Sequence, residues 1–166
     1  MNILIKLGAV ASISVLAACT GTNDVDLETD STVGSADAGS TSSIQPGSQA
    51  ALEQIGNRVF FGFDRFDLTP KAQDVLRQQA AFLKEFPGTS IRIEGHCDER
   101  GTREYNLALG ARRANAARDF LIGLGVDGSR ISTISYGKER PLDPRSTEEA
   151  WALNRRATTT LVSSIS

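Results

Sequence analysis

The 166-residue sequence contains one histidine, one tryptophan, one methionine and two cysteines, and only 6% of it is aromatic. A lone His96 with no serine nucleophile motif beside it leaves a hydrolytic triad without its parts. Two cysteines, Cys19 and Cys97, cannot make a disulfide framework, so each needs its own role. The uncharged apolar run over residues 7–16 is too short to span a bilayer, which takes about 20 helical residues. Neither sign of charge dominates, with 18 Lys and Arg against 20 Asp and Glu. The balance excludes nucleic acid as a partner gripped by bulk charge, because phosphate neutralisation needs a concentrated basic surface.

The charge is nevertheless uneven. Residues 1–19 hold one Lys and no acid, residues 20–50 hold five acids and no base, and residues 51–166 hold 17 bases and 15 acids. Lys6, the apolar run and the small residues that follow it read as a secretory signal peptide over residues 1–18. The run Leu16-Ala17-Ala18-Cys19 resembles the bacterial lipobox, in which the Cys becomes a lipid-modified N-terminus. Cys19 is thus expected to carry a covalent lipid anchor, and Thr20 after it favours outer-membrane sorting. Several acyl chains on one residue make such an anchor effectively stable.

Residues 20–50 contain six Ser, five Thr, four Gly and no aromatic residue. That composition cannot bury enough apolar surface to offset its chain entropy, so residues 19–50 are read as a lipidated, disordered tether. Its random-coil span is about 30 Å and its full stretch roughly 100 Å.

From residue 51 to 166 the pattern becomes that of one folded domain. A short helix over 51–55 precedes a β-prone run in 57–63. Thr69-Pro70 is a helix start, with Thr as N-cap and Pro in the first turn. Ala72, Val75, Leu76, Gln79, Ala80, Leu83 and Phe86 then recur at helical spacing, until Pro87-Gly88 stops the run. Residues 89–97 alternate as a strand, with Ile91, Ile93, Gly95 and Cys97 on one face and Arg92, Glu94 and His96 on the other. A long helix spans 102–124, a strand 131–136, a short helix 147–153 and a last strand 155–162. The order βαβαβαβ predicts an α/β (α+β) two-layer sandwich with helices on one face of a mixed sheet.

Two tempting motifs fail on context. Gly123, Gly125 and Gly128 spell G-x-G-x-x-G, but they follow a helix, whereas a dinucleotide fingerprint follows a strand and opens a helix. His96, Cys97, Asp98 and Glu99 have metal-ligand chemistry, but strand alternation sends neighbours to opposite faces, away from a common ion. No metal, no cofactor and no catalysis are expected. Cys97 shares a face with Ile91 and Ile93, so it reads as a buried small hydrophobe.

The long helix is more informative. At 100° per residue, Asn106, Gly110, Arg113 and Ala117 fall on one narrow stripe. Arg113 therefore faces the sheet, and a buried guanidinium requires partners. Two remain open: an internal salt bridge with Asp98 or Glu99, or a ligand carboxylate gripped bidentately.

The runs Gly95-His96-Cys97-Asp98-Glu99-Arg100-Gly101-Thr102, Tyr105-Asn106-Leu107-Ala108-Leu109-Gly110-Ala111-Arg112-Arg113-Ala114-Asn115-Ala116, Ser135-Tyr136-Gly137-Lys138-Glu139-Arg140-Pro141 and Asn154-Arg155-Arg156 resemble the OmpA-like peptidoglycan-binding domain. Phe61-Gly62-Phe63-Asp64-Arg65-Phe66-Asp67 fits the same family. Cys97 departs from it, standing where the family more often has a small or hydroxyl residue. The resemblance implies non-covalent binding of peptidoglycan through the meso-diaminopimelate of its stem peptide, a moiety with an ammonium and a carboxylate on one carbon. By position it implies that Asp98 holds the ammonium and Arg113 the carboxylate. It also implies that Phe63 and Asp64 shape the pocket wall, while Arg100, Thr102 and Asn106 line its mouth. Arg155 and Arg156 are read as structural charges, and Trp151 as a hydrophobic lid over the short helix. The resemblance implies further partners in the Tol system, with TolB binding a surface that overlaps the wall site. Together these readings predict an outer-membrane lipoprotein whose domain faces the periplasm and grips the wall.

Overall fold

The computed structural model describes residues 45–162. The signal peptide, the lipidation of Cys19 and all but the end of the tether lie outside the described residues. Helix α1 (Gln49–Ile55) is followed by β1 (Arg58–Phe60), α2 (Pro70–Glu85), β2 (Ser90–His96) and α3 (Arg103–Gly123). A 3-10 turn (Gly128–Arg130) then leads to β3 (Ile131–Gly137), α4 (Glu148–Asn154) and β4 (Arg156–Val162). The strands form one mixed sheet in the order β1-β4-β2-β3. Strand β4 is antiparallel to both of its neighbours, and β2 runs parallel to β3.

Local chemistry sets the helix starts. Ser48, Thr69, Thr102 and Thr147 each accept a hydrogen bond from the backbone N–H three residues on, which satisfies one of the orphan donors of a first turn. Helix α1 begins two residues before the expected 51, because Ser48 caps it and the Gln49 side chain accepts from Leu161 N at 2.9 Å. Strand β1 is shorter than the β-prone run, since the chain turns away after Phe61 and Asp64 takes a φ of 56°.

The core lies between the sheet and the pair α2 and α3. Leu76 and Leu83 of α2, Ala114 and Leu121 of α3, and Ile91 and Ile93 of β2 are all buried. Each fully buried aliphatic side chain of this size contributes roughly 1.5–3 kcal/mol. Buried Gln79 is satisfied, donating to Gly56 O and accepting from Thr159 Oγ1, both at 2.8 Å. Asn106, Gly110, Arg113 and Ala117 of α3 are buried together, as the helical arithmetic requires. Gly110 and Gly95 let α3 approach β2 backbone to backbone: a Cβ on Gly95 would overlap the Gly110 carbonyl oxygen, and one on Gly110 would overlap Ser135 Oγ. Among the described residues, no helix is long and apolar enough to cross a membrane.

Candidate ligand-binding cleft

Where β2 ends and α3 begins, the chain opens a cleft of about 170 Å³. Of the residues expected at the site, Phe63, Asp64, Asp98, Arg100, Asn106 and Arg113 line it. Cys97, Gly101, Tyr105 and Leu109 complete the wall. Thr102 is the exception, because its hydroxyl accepts from Tyr105 N and caps α3. Asn106 is held at the rim of that cap, its amide donating to Arg100 O at 2.8 Å and Thr102 O at 3.1 Å.

Asp98 is buried two residues beyond the end of β2. Arg100 donates to Oδ1 from its backbone N at 3.2 Å and from Nε at 3.1 Å, and to Oδ2 from Nη2 at 2.7 Å. Arg155 Nη1 approaches Oδ2 at 3.4 Å. Burial pulls the Asp98 carboxyl upward, but hydrogen bonds from Arg100 and Arg155 outweigh it and hold the group below its ordinary value. The anion is therefore present throughout the neutral range.

Arg113 is 1% exposed. It pairs with neither Asp98 nor Glu99. Its Nε donates to Arg65 O at 2.8 Å, Nη1 to His96 O at 2.8 Å and Nη2 to Gly62 O at 3.1 Å. These carbonyls lie where β2 ends and where the chain turns after β1, so one guanidinium ties both sides of the cleft to α3. Burial lowers its pKa, with Asp98 among the groups that oppose the shift. Three of an arginine's five N–H donors are thus engaged on backbone.

Three residues have larger parts than their sequence positions implied. Arg155, buried, donates to Phe61 O at 3.2 Å and pairs with Glu148 at 2.8 Å as well as with Asp98. It supports the anion from behind. Trp151 stands behind the cleft's cation and does more than cover the short helix: its Nε1 donates to Glu99 Oε1 at 3.0 Å, and its ring lies 4.1 Å from the Arg100 guanidinium. The Phe63 ring also lies against Arg100, at 4.2 Å from the guanidinium. Tyr105 donates its hydroxyl to Asp64, fixing the turn after β1 to the start of α3. No local sequence signal marks Arg155, because it is the C-cap of α4 and precedes β4.

Cys97 is buried, as its strand face required, and its Sγ–H lies 3.4 Å from Asn106 O. Burial pushes the thiol up to about 11, so at neutral pH it is an inert wall of the cleft. His96 points to the helix-free face beside Tyr136, and burial together with Arg156 lowers it to about 4. Among the described residues, no group of three or more His, Cys, Asp or Glu side chains is placed to hold a metal ion.

The cleft thus presents a buried anion, a part-exposed cation that pairs with it and lies over two aromatic rings, and a second cation locked to the backbone. Comparison with known proteins bears on what such a cleft serves. The OmpA family matches residues 60–155. The chain is 51% identical over 124 residues to the peptidoglycan-associated lipoprotein of Agrobacterium fabrum, covering 74% of this chain and 70% of that protein. It is 40% identical over 158 residues to the Haemophilus influenzae protein of the same name, covering 95% of this chain and 97% of that one. The crystal structure of the peptidoglycan-associated lipoprotein from Burkholderia pseudomallei matches with a TM-score of 0.62 and 43% identity, over 64% of this chain and 90% of the other.

Proposed function

Because the chain belongs to the OmpA family, and within it to the peptidoglycan-associated lipoproteins, we propose that its cleft grips the cell wall through the diaminopimelate of the stem peptide. The protein is a wall-associated lipoprotein of the cell envelope and not an enzyme. The observation that carries the finer reading is Asp98, a buried carboxylate kept ionised and facing a cleft that also presents cations. A carbon bearing both an ammonium and a carboxylate needs that pairing side by side. Asp98 takes the ammonium, and Arg113 offers the carboxylate the donors that its three carbonyl bonds leave over. Phe63, Asp64, Arg100 and Asn106 form the walls and mouth, while Thr102 acts by capping α3.

In this reading a lipid on Cys19 holds the chain in the outer membrane, the acidic stretch gives slack, and the domain binds the wall reversibly on the periplasmic side. Attachment at one end raises the effective concentration at the other, so many weak grips hold two surfaces together. The test is sedimentation of the full-length protein with purified peptidoglycan. Asp98→Asn and Arg113→Lys, each checked for folding by circular dichroism, are expected to leave the pellet. If both co-sediment like wild type, the site is wrong.

A second reading, in which the Tol system and TolB are the main partners, draws on the exposed Phe63 and Tyr105 at the rim, since exposed aromatics at a rim suit a protein surface. Competition between diaminopimelate peptides and TolB tests it. Independent binding of the two would count against a shared surface.

A further inference from the structure

We propose that Arg100 makes the cleft select an amino-acid head, ammonium and carboxylate together, over a bare amine. The inference rests on the diaminopimelate reading and names the residue that sets its specificity. An ionised carboxylate offers about four acceptor positions. Arg100 makes three of the contacts to Asp98, from its backbone N, Nε and Nη2, and Arg155 makes the fourth. The ammonium position on Asp98 is therefore held by the chain's own cation. An incoming ammonium must replace it.

The consequence depends on what the ligand brings besides its positive charge. A lysine-type amine displaces the Arg100 fork and returns nothing to it. The displaced guanidinium then keeps only weaker partners: Glu148, at 3.8 Å on an exposed side chain, and Glu99, which makes no ion pair with it. A ligand carrying a carboxylate on the same carbon as its ammonium supplies the fork with a new anion beside the one it loses, shared with Arg113 through the carboxylate's several acceptor positions. The exchange leaves every charge paired.

Arg100 is built for such an exchange, and Arg113 is not. The Arg113 guanidinium is fixed by three backbone carbonyls from two sides of the cleft. The Arg100 side chain is 32% exposed and lies over the rings of Phe63 and Trp151, at 4.2 and 4.1 Å. Flat aromatic faces attract a guanidinium without fixing its in-plane direction, so the fork can turn while remaining over the cleft.

Trp151 is the sole tryptophan of the chain and reports on its neighbour directly. The full-length protein is titrated by calorimetry and by Trp151 fluorescence with two synthetic tripeptides, L-Ala-γ-D-Glu-meso-diaminopimelate and L-Ala-γ-D-Glu-L-Lys. They differ only by the carboxylate. Wild type is expected to prefer the first by about tenfold or more, the equivalent of one charge-assisted hydrogen bond, with a shift in Trp151 emission on binding. Arg100→Gln is expected to bring the ratio within about threefold, chiefly by tightening the lysine peptide, and Arg100→Lys to restore part of it.

An unchanged ratio in Arg100→Gln overturns the proposal. A wild type that binds neither peptide, or both alike, overturns the diaminopimelate reading itself. Where Arg100→Gln fails to fold, wild-type fluorescence decides: calorimetric binding of the diaminopimelate peptide with no change in Trp151 emission leaves Arg100 in place and refutes the exchange.

Discussion

Gly95→Ala should be among the most damaging single-methyl changes in this protein. The added carbon overlaps the carbonyl oxygen of Gly110, a main-chain atom of α3 that cannot rotate away as a side chain would. Normal contact requires α3 to retreat from β2 by roughly 1 Å or more. Overpacking of this kind costs about 1–3 kcal/mol by itself. The retreat also reaches the cleft, because Arg113 lies three residues beyond Gly110 on the same stripe. Its Nη1 donates to His96 O at 2.8 Å, and an added ångström breaks that bond. A hydrogen bond from a charged donor contributes about 1.5–3 kcal/mol, so the total loss is about 2.5–6 kcal/mol, a large share of a typical domain's stability. Urea unfolding followed by circular dichroism measures it. Gly123→Ala is the control from the same helix: a Cβ there meets nothing within 4 Å, so it should stabilise by up to about 1 kcal/mol. A Gly95→Ala protein within about 0.5 kcal/mol of wild type would refute the backbone contact and the coupling to Arg113.

Stability should also fall with acid well before the carboxylates titrate. His96 is 2% exposed with Glu94 at 3.8 Å, and burial first, then the charges of Arg156 and Arg140, lower its pKa to about 4 in the fold against 6.5 when unfolded. The unfolded chain therefore binds the extra proton between those values, so stability present above pH 6.5 declines by up to about 3 kcal/mol on the way to pH 4. His96→Gln should flatten that part of a urea-midpoint profile, and an unchanged slope would reassign it. Arg155→Ala removes the rear partner of Asp98 together with a donor to Phe61 O, and breaking a buried pair of this kind costs about 3 kcal/mol or more. It should weaken peptidoglycan sedimentation and lower the urea midpoint together; wild-type values in both would remove Arg155 from the site.

What the sequence disclosed and what it withheld divide along a physical line. Alternation over residues 89–97 and the 100° stripe of α3 are local signals, so the strand, the helix and the inward turn of Arg113 were all legible. The partners of Arg113 were not, because they are carbonyls of Gly62 and Arg65, about fifty positions upstream, and a main-chain oxygen has no residue signature. Helix α1 starts two residues ahead of the expected 51 for the same reason, since Gln49 is anchored by Leu161 across the whole domain. Arg155 and Trp151 reach the cleft only through the β2–β4 register and the position of α4, neither of which a single sequence encodes locally.

Bulk charge concealed the site in a more instructive way. Asp98 and Glu148 face Arg100 and Arg155, two acids against two bases, and the cluster adds nothing to the net charge. A zwitterionic ligand adds nothing either. It enters such a cluster without creating an uncompensated charge, and the only cost is the exchange of one pairing for another. A bare cation or a bare anion would leave a buried or half-buried charge unpaired, which is expensive in a low-dielectric cleft. The neutrality that hid these residues in a charge count is thus the property that suits them to an amino-acid head group.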